Sequence, residues 1–439
     1  MSSVKIVLPY GSDNMEVSVP EKNLIGIYSP QDIASVPDVK QEIMRALRHP
    51  IGTPSLAELV HGKEKIVILA DDNTRLTPTK QIIPLLLDEM NAAGVKDEQI
   101  TIIIALGTHR FMTQEEIVEK FGKAVAERVT IKNHDFKNPN ALIDLGKTAN
   151  GTSVWVNREA YEADFKIGIG SIVPHHIPGF SGGAKIVQPG ISGENTTAET
   201  HLLSVRSPRS CLGMEDSPVR RELNLMAEKI GMNTILNTIL NRHGEVVGAF
   251  FGDMEAAFKE GVALSQKIYA VEIPEEADIV ISGSHPCDIE FWQAHKTLYP
   301  SDLAVKAGGT IIIVTPCYEG VAVTHSEIVD ITGYSSAELK KLVDNKKLPD
   351  EVAAALAIAW AQVKERETVY IVSQGIAPDD AKKLGFVPFS SVNEALQSAF
   401  AEQGAHAKVT VLTHAPDMLP IISSKSNINT TNASSGKRN

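Results

Sequence analysis

The stretch that decides the fold is EKIVILADDNTRLTPTKQIIPLLLDEMNAAGVKDEQITIIIAL, residues 64–106. It begins with a short apolar segment over 64–70, which is typical of a buried strand. The apolar residues over 77–94 recur with helical spacing, and 99–106 is again a compact apolar segment. A strand, a helix and a second strand in this order form the unit from which parallel α/β sheets are built.

The same alternation continues along the chain. Thr113 and Glu116 have the spacing of a capping box, which predicts a helix beginning there. Further strands are predicted over 163–173, 276–283, 308–314, 367–375 and 408–414, and further helices over 113–122, 218–231, 254–270, 335–345, 350–365 and 392–404. A chain of 439 residues is also long for a single core. The pattern therefore predicts two α/β domains with largely parallel sheets.

The strand and helix pattern divides the chain near residue 270. We predict an N-terminal α/β domain over 1–268 and a C-terminal α/β domain over 274–405. A return segment over 406–422 is expected to pack near the N-terminal domain. Residues 423–439 are polar and low in complexity, so a disordered tail is predicted.

Composition excludes several classes of protein. A net charge of −12 without a dense basic run argues against a nucleic-acid-binding face. No apolar run approaches the roughly 20 residues that span a bilayer, and the N-terminus lacks the pattern of a signal peptide. Cys211, Cys287 and Cys317 are far apart and form no CxxC pair. These features predict a cytoplasmic protein without a nucleic-acid or membrane partner.

Polar side chains are concentrated where predicted strands end. The segments concerned are DDNTR (71–75), GTHR (107–110), VPHHIPGFSGGAKIVQPG (173–190) and SHPCDIEFWQAHK (284–296). Ordinary turns and helix caps account for any one of them alone. Ligands of open α/β sheets bind beyond the carboxyl ends of strands, however. Several such ends carrying titratable residues together predict a ligand site.

Familiar binding motifs do not describe this site. No GxGxxG follows a strand, and GFSGGAK lacks both the glycine spacing and the Ser or Thr of a phosphate-binding loop. There is no HExxH, and adjacent residues such as His175 and His176 rarely point the same way, which disfavours a conventional zinc site. Lys185 follows two glycines that permit close approach of the backbone. It is either a surface charge, an anion anchor or a point of covalent attachment.

The segments DDNTR, GTHR, HHIPGFSGGAKIVQPG, TAETH and WQAHK, in this order, resemble those of the nickel-dependent lactate racemase family. The resemblance extends over roughly residues 5–415. It implies two α/β domains with the active site in the cleft between them. It also implies a nickel-pincer nucleotide, nickel pyridinium-3,5-bisthiocarboxylate mononucleotide, as the cofactor.

The resemblance assigns roles to individual residues. It implies that Lys185 carries the cofactor through a thioamide link and that His201 is a nickel ligand. Residues implied to contact the cofactor are Asp72, Asn73, Thr74, Arg75, Gln293 and Lys296.

His109 and His175 match the two acid–base residues of the family. The resemblance implies that one of them takes the hydroxyl proton while C2 gives up a hydride, which leaves a 2-keto acid. The hydride then returns to either face, so that C2 of a 2-hydroxy acid is inverted. Imidazole suits this task because its ordinary pKa of about 6.5 lets it accept and donate protons near neutrality. Arg75 and Lys296 are expected to bind the substrate carboxylate or the developing alkoxide. Cofactor-synthesis enzymes are expected as maturation partners.

Three positions depart from lactate racemase. Ala184 stands where that enzyme has an arginine, His176 replaces an aromatic residue, and Val352 aligns with a pocket tryptophan, although Trp360 lies in the same predicted helix. A smaller residue at 352 and a polar His176 against the substrate predict a roomier, more polar pocket. The expected substrate is then a longer, dicarboxylic or sugar acid rather than lactate. The alternative is drift at the pocket margin.

Other functions remain open from the sequence. A Schiff-base lyase or aldolase that uses Lys185 is the alternative enzyme, and borohydride trapping with a carbonyl substrate would distinguish it. A ligand-binding or maturation protein of the same fold has no need of acid–base groups, so the set His109, His175, Lys185 and His201 argues against it. A conventional metallohydrolase would bind zinc instead.

Overall fold

The computed structural model describes residues 2–423, which form two compact units. The N-unit consists of Asp32–Ser207 and Gly213–Ile268. The C-unit consists of residues 2–31, Pro208–Leu212, and residues 269–423. Within residues 2–423, no helix combines the length and apolar character needed to cross a membrane. The predicted tail covers residues 423–439, of which residues 424–439 lie outside the described part of the chain.

The strands, in chain order, are β1 (Ser3–Tyr10), β2 (Asp13–Pro20), β3 (Leu24–Tyr28), β4 (Ile66–Ala70), β5 (Ile100–Ile104), β6 (Thr130–Asn133), β7 (Leu142–Lys147), β8 (Ser153–Asn157), β9 (Phe165–Ser171), β10 (Pro174–His175), β11 (Gly179–Phe180), β12 (Thr234–Leu240), β13 (Val246–Gly252), β14 (Ala270–Ile273), β15 (Ala277–Gly283), β16 (Val305–Val314), β17 (Thr368–Val372), β18 (Val387–Phe389), β19 (Val409–Leu412) and β20 (Leu419–Ile422). The α-helices are α1 (Val39–Arg48), α2 (Leu56–Val60), α3 (Thr79–Ala92), α4 (Gln114–Phe121), α5 (Lys123–Arg128), α6 (Arg158–Tyr161), α7 (Glu194–Ser204), α8 (Pro218–Ile230), α9 (Ala256–Tyr269), α10 (Phe291–Ala294), α11 (Leu298–Ala304), α12 (Ile328–Ile331), α13 (Ser336–Asp344), α14 (Glu351–Lys364), α15 (Pro378–Lys383) and α16 (Val392–Gln403). Short 3-10 helices span Glu21–Asn23, Asp97–Gln99, Gly183–Ile186, His295–Thr297 and Ala415–Asp417.

The N-unit is built on a six-stranded sheet in the order β13-β12-β9-β4-β5-β6. Its strands are parallel except for β13, which pairs antiparallel with β12. Every residue of β4 is buried, as expected of a central parallel strand that is covered on both faces. The chain passes from β4 outward to β6 and then returns to β9 on the other side of β4. The strand order therefore reverses between β4 and β9, which makes this the switch point of a doubly wound sheet.

Local patterning explains the helices that cover this sheet. The buried positions of α3 include Ile82, Leu86 and Met90, whose spacing forms one apolar face over the core. At the start of α4, the Thr113 side chain accepts from the backbone N of Glu116, and the Glu116 side chain accepts from the backbone N of Thr113. The predicted capping box is thus confirmed.

The C-unit contains an all-parallel sheet in the order β18-β17-β16-β15-β19-β3. The β1–β2 hairpin contributes Leu8 and Val17 to a core shared with Ile281 and Val411 of this sheet. The strand order reverses between β15 and β19, so the C-unit has a switch point of its own. The predicted class, two α/β bodies with largely parallel sheets, is confirmed.

The division of the chain differs from the predicted domains at both ends. Residues 2–31 belong to the C-unit, because β3 pairs in parallel with β19. Residues 406–422 also belong to the C-unit, since β19 lies between β15 and β3, and β20 pairs with β14. Pairing between such distant segments leaves no local signal in the sequence.

Candidate active site

The predicted site residues of the N-unit follow the strands at its switch point. The segment 71–75 directly follows β4, and the segment 173–190 follows β9. His109 lies in the loop after β5, the neighbour of β4. Because the carboxyl ends of parallel strands share one edge of the sheet, these loops converge beside the switch point.

His109 forms a dyad with Asp72. Its Nδ1 lies 2.6 Å from Oδ2 of Asp72, a buried residue. The other carboxylate oxygen accepts from the backbone N of Thr74 at 3.1 Å and from its hydroxyl at 2.5 Å. A carboxylate can only accept, so Nδ1 of His109 carries a proton, and Nε2 is the acceptor whenever the ring is neutral. Asp72 thus fixes both the orientation and the tautomer of the His109 ring.

The charge of Asp72 is maintained by its surroundings. Burial by itself raises the pKa of this carboxyl group, but His109, Arg75 and Thr74 together hold the pKa well below its usual range. The Arg75 guanidinium also donates to the Thr74 hydroxyl at 2.8 Å and to the Thr74 carbonyl at 3.1 Å. The structure therefore brings Asp72, Thr74, Arg75 and His109 into one network.

Lys120, which sequence reasoning missed, fixes the turn after β4. Its ammonium donates to the carbonyls of Arg75 at 2.6 Å and Thr77 at 3.1 Å, and lies 3.3 Å from Asp71. Burial raises the pKa of Asp71, although Lys120 and a hydrogen bond from Thr77 oppose that shift. A lysine within a helix carries no sequence signal for such a role.

Glu116 joins two of the strand-end loops. Besides capping α4, it accepts from Asn73 at 3.0 Å and pairs with Arg110 at 2.7 and 2.8 Å. Asn73 is therefore held by this carboxylate, next to the Asp72 network. The capping-box spacing identified Glu116 as a helix cap but could not show its reach to Asn73 and Arg110.

His175 and His176 stack on one another, with ring centroids 4.6 Å apart and planes inclined by 18°. The expectation that these neighbours point apart is wrong. The chain leaves the extended conformation at His176, where a turn links β10 to β11, so the side-chain alternation of a strand ends there. Nδ1 of His175 accepts from the backbone N of Ile177 at 3.2 Å. Its Nε2 therefore carries the proton in the neutral ring, the reverse of His109.

Lys185 lies on the short helix Gly183–Ile186, within a tightly packed loop. Gly179 has a φ of +91°, and a Cβ there would lie 1.7 Å from the carbonyl oxygen of Met214. A Cβ at Gly190 would lie 2.0 Å from the carbonyl oxygen of Ile186. The glycines of this motif thus permit close approach of backbone to backbone on both sides of Lys185.

Arg220, on α8, holds the loop that precedes Lys185. Its guanidinium donates to the carbonyl of Gly182 at 3.1 Å and to that of Phe180, and lies 4.2 Å from the ring centroid of Phe258. Burial lowers the pKa of Arg220 to about 9. This role leaves no local signal in the sequence, because Arg220 stands 35 positions beyond Lys185 in an ordinary amphipathic helix.

His201 lies on α7, with its Nδ1 2.8 Å from the carbonyl oxygen of Thr197. A carbonyl can only accept, so Nδ1 donates and Nε2 bears the lone pair. This is the tautomer of a metal-ligating histidine whose second nitrogen is held by the protein. Imidazole nitrogen is a suitable nickel ligand, and a lysine amine can form a covalent link. The side chains present therefore fit a nickel cofactor attached at Lys185.

The remaining predicted cofactor residues lie in the C-unit. Lys296 donates to Oε1 of Gln293 at 2.5 Å and lies 3.9 Å from Sγ of Cys287. Trp360 is buried in α14 against Phe291, with ring centroids 5.2 Å apart, whereas Val352 is buried in the first turn of that helix. The two candidate pocket positions thus occupy different places along one helix.

Comparison with known proteins gives the same family for both units. Residues 10–213 match the model of the lactate racemase N-terminal domain, and residues 273–421 match that of the lactate racemase C-terminal domain. The lactate racemase of Lactiplantibacillus plantarum is 30% identical over 434 residues, which covers 95% of this chain and 99% of that protein. The lactate racemase of Thermoanaerobacterium thermosaccharolyticum is 30% identical over 428 residues, with 95% and 98% covered.

Two solved structures are similar to this chain. The lactate racemase apoprotein of Thermoanaerobacterium thermosaccharolyticum has a TM-score of 0.85 at 28% identity, covering 95% of this chain and 100% of that one. A protein of Thermotoga maritima has a TM-score of 0.70 at 21% identity, covering 89% of this chain and 100% of that one, and shows the fold alone.

Proposed function

Because this chain belongs to the lactate racemase family, which supports a racemase activity and a nickel cofactor, we propose that it inverts C2 of a 2-hydroxy acid by hydride transfer. The cofactor of the proposal is a nickel-pincer nucleotide joined covalently to Lys185. The reaction passes through a 2-keto acid. The product is the enantiomer or epimer of the substrate.

The observation that carries the proposal is the opposite arrangement of two histidines at one switch point. His109, oriented by Asp72, presents an acceptor at Nε2, whereas His175 presents N–H at Nε2. Oxidation of a 2-hydroxy acid at C2 requires a base for the hydroxyl proton, and reduction of the resulting 2-keto acid requires a proton donor to the carbonyl oxygen. The tautomer of His201 and the packing of the Lys185 loop support a metal ligand and an attachment point.

When bound, the nickel-pincer nucleotide would supply the hydride acceptor and donor for C2. His109 takes the hydroxyl proton of one hand of the substrate, and Asp72 stabilises the imidazolium that results. His175 serves the other hand, and for this its Nδ1 gives up the contact with the Ile177 amide. Arg75 and Lys296 bind the carboxylate, and His201 holds the metal.

Asp72, Asn73, Thr74, Arg75, Gln293 and Lys296 are proposed to contact the cofactor. The cofactor-synthesis enzymes are proposed as maturation partners of a cytoplasmic protein. Cys211, Cys287 and Cys317 are buried and form no disulfide, which is compatible with a reducing compartment.

We further propose a substrate other than lactate. Support comes from the small Ala184 before Lys185, from the polar His176 stacked on His175, and from Val352 in place of a tryptophan. A panel of chiral 2-hydroxy acids, offered to the nickel-loaded protein, tests this directly. Fastest turnover of lactate would contradict it.

The fate of the C2 hydrogen tests the hydride mechanism. The nickel-loaded protein should invert a 2-hydroxy acid in D2O without incorporating deuterium at C2, because a hydride does not exchange with solvent. Deuterium at C2 of the product, rising with turnover, would show that C2 is deprotonated and would overturn the mechanism. Protein expressed without the cofactor-synthesis enzymes provides the background rate.

A further inference from the structure

The C-unit carries a polar cluster at its own switch point, and the resemblance assigns no role to any of its members. Its members follow the strands β3, β15 and β19, and they are Ser29, Ser284, His285, Asp288, Thr413 and His414. The strand order reverses between β15 and β19, whose loops diverge there. In open α/β sheets such a point is where ligands bind.

The cluster contains a second histidine–aspartate dyad. Nδ1 of His285 lies 2.8 Å from Oδ2 of Asp288, and the Ser284 hydroxyl donates to Oδ1 at 2.7 Å. Asp288 and Ser284 are buried, whereas the His285 side chain is 32% exposed. The carboxylate fixes Nδ1–H as the donor, so Nε2 of the neutral ring is an acceptor. This is the same device that orients His109 in the N-unit.

A second imidazole lies against this dyad. The rings of His285 and His414 meet edge to face, with centroids 5.6 Å apart. Nδ1 of His414 lies 2.8 Å from the Thr413 hydroxyl, which is 2.6 Å from the Ser29 hydroxyl. Both histidines are thus oriented by neighbouring side chains, and neither is part of an apolar core.

We propose that this cluster recognises hydroxyl groups of the substrate, and hence that the substrate is a polyhydroxylated 2-hydroxy acid. The inference rests on the proposed function. Imidazole and hydroxyl groups pair with hydroxyls as acceptors and donors. Asp288 places a carboxylate in the same cluster, which disfavours a second carboxylate on the ligand and leaves a neutral tail.

The position of Lys296 supports the assignment. It is proposed to bind the substrate carboxylate, and it contacts Cys287, which lies between His285 and Asp288 in the chain. Lys296 itself lies on the short helix His295–Thr297, so a carboxylate that it binds is adjacent to the loop that carries the dyad. Lactate has no hydroxyl beyond C2 and cannot use the cluster.

Binding to the apo form of the full chain tests the proposal without the cofactor. Calorimetric titrations would compare D-gluconate, malate and L-lactate against wild type, His285→Ala and His414→Ala. His243→Ala is the matched control, because His243 is exposed and lies in the N-unit. Wild type should bind gluconate at least about tenfold more tightly than lactate. Each cluster variant should weaken gluconate binding about fivefold, the loss of roughly one hydrogen bond. Lactate binding should stay within about twofold in all variants.

Tighter binding of malate than of gluconate would overturn the assignment to hydroxyl groups. Unchanged gluconate affinity in both cluster variants would show that the dyad is only structural. If His285→Ala fails to fold because Asp288 loses its partner, His414→Ala decides, since Thr413 keeps its contacts with Ser29 and the Tyr28 carbonyl. Intact mass and nickel content of co-expressed protein are measured separately. Their failure would overturn the proposed cofactor and leave the binding result as it stands.

Discussion

Replacing Asp72 with Asn tests how His109 is activated. The substitution keeps the shape of the side chain but removes the negative charge beside the Nδ1–H of His109, 2.6 Å away. A hydrogen bond to a charged group contributes roughly twice as much as a neutral one, so the change costs about 1–2 kcal/mol in the transition state. That corresponds to a loss of about 5- to 30-fold in kcat/KM.

The assay measures kcat/KM for both enantiomers or epimers, normalised to bound nickel, because Asp72 is also proposed to contact the cofactor. The value of kcat/KM should fall by the same factor in both directions, since the ratio of the two values is fixed by the equilibrium constant. Asp71→Asn is the matched control. Asp71 pairs with Lys120 and Thr77 rather than with an imidazole, so this variant should keep kcat/KM within about threefold. Full loading of Asp72→Asn with kcat/KM within about twofold of wild type would refute the role of the dyad.

Three further substitutions test other parts of the account. Arg220→Met should reduce covalent cofactor loading by about tenfold or more, as measured by intact mass. The control is Arg221→Met, at the exposed neighbouring position, which should load normally. Equal loading of the two variants would contradict the positioning role of Arg220. Gly190→Ala should lower the thermal midpoint by at least about 5 °C because its Cβ would overlap a backbone oxygen, whereas Gly333→Ala, where a Cβ meets open space, should be nearly neutral. Burial raises the pKa of Glu367 to about 8, so its protonated form stabilises the fold below about pH 4.5, and that contribution is lost as the pH rises to about 8. The thermal midpoint of Glu367→Gln should therefore rise relative to that of wild type as the pH increases across this interval. Parallel curves of thermal midpoint against pH for the two proteins would contradict the assignment.

The fold was predictable where its signals are local. Apolar segments of strand length gave β4 and β5, and helical spacing gave α3. Thr113 and Glu116 are three residues apart, so their cap was visible in the sequence. Pairing of β3 with β19 was not predictable, because nothing near Leu24–Tyr28 shows that its partner lies almost 400 residues away.

The candidate site divides in the same way. His109 and Asp72 could be placed together because both follow strands of one parallel sheet, and the carboxyl ends of such strands share an edge. The stacking of His175 on His176 depends on a turn that the glycine-rich sequence does not fix. Lys120 and Arg220 reach the site from helices by the length of their side chains, which is a property of tertiary packing.

The most direct test of the central claim is the mass of the loaded protein. The chain would be co-expressed with the cofactor-synthesis enzymes, and its intact mass and nickel content would be measured beside Lys185→Ala. The account predicts a mass increase of the size of the pincer nucleotide with about one nickel per chain, both lost in the variant. Neither adduct nor nickel, under conditions in which a lactate racemase loads fully, would contradict it.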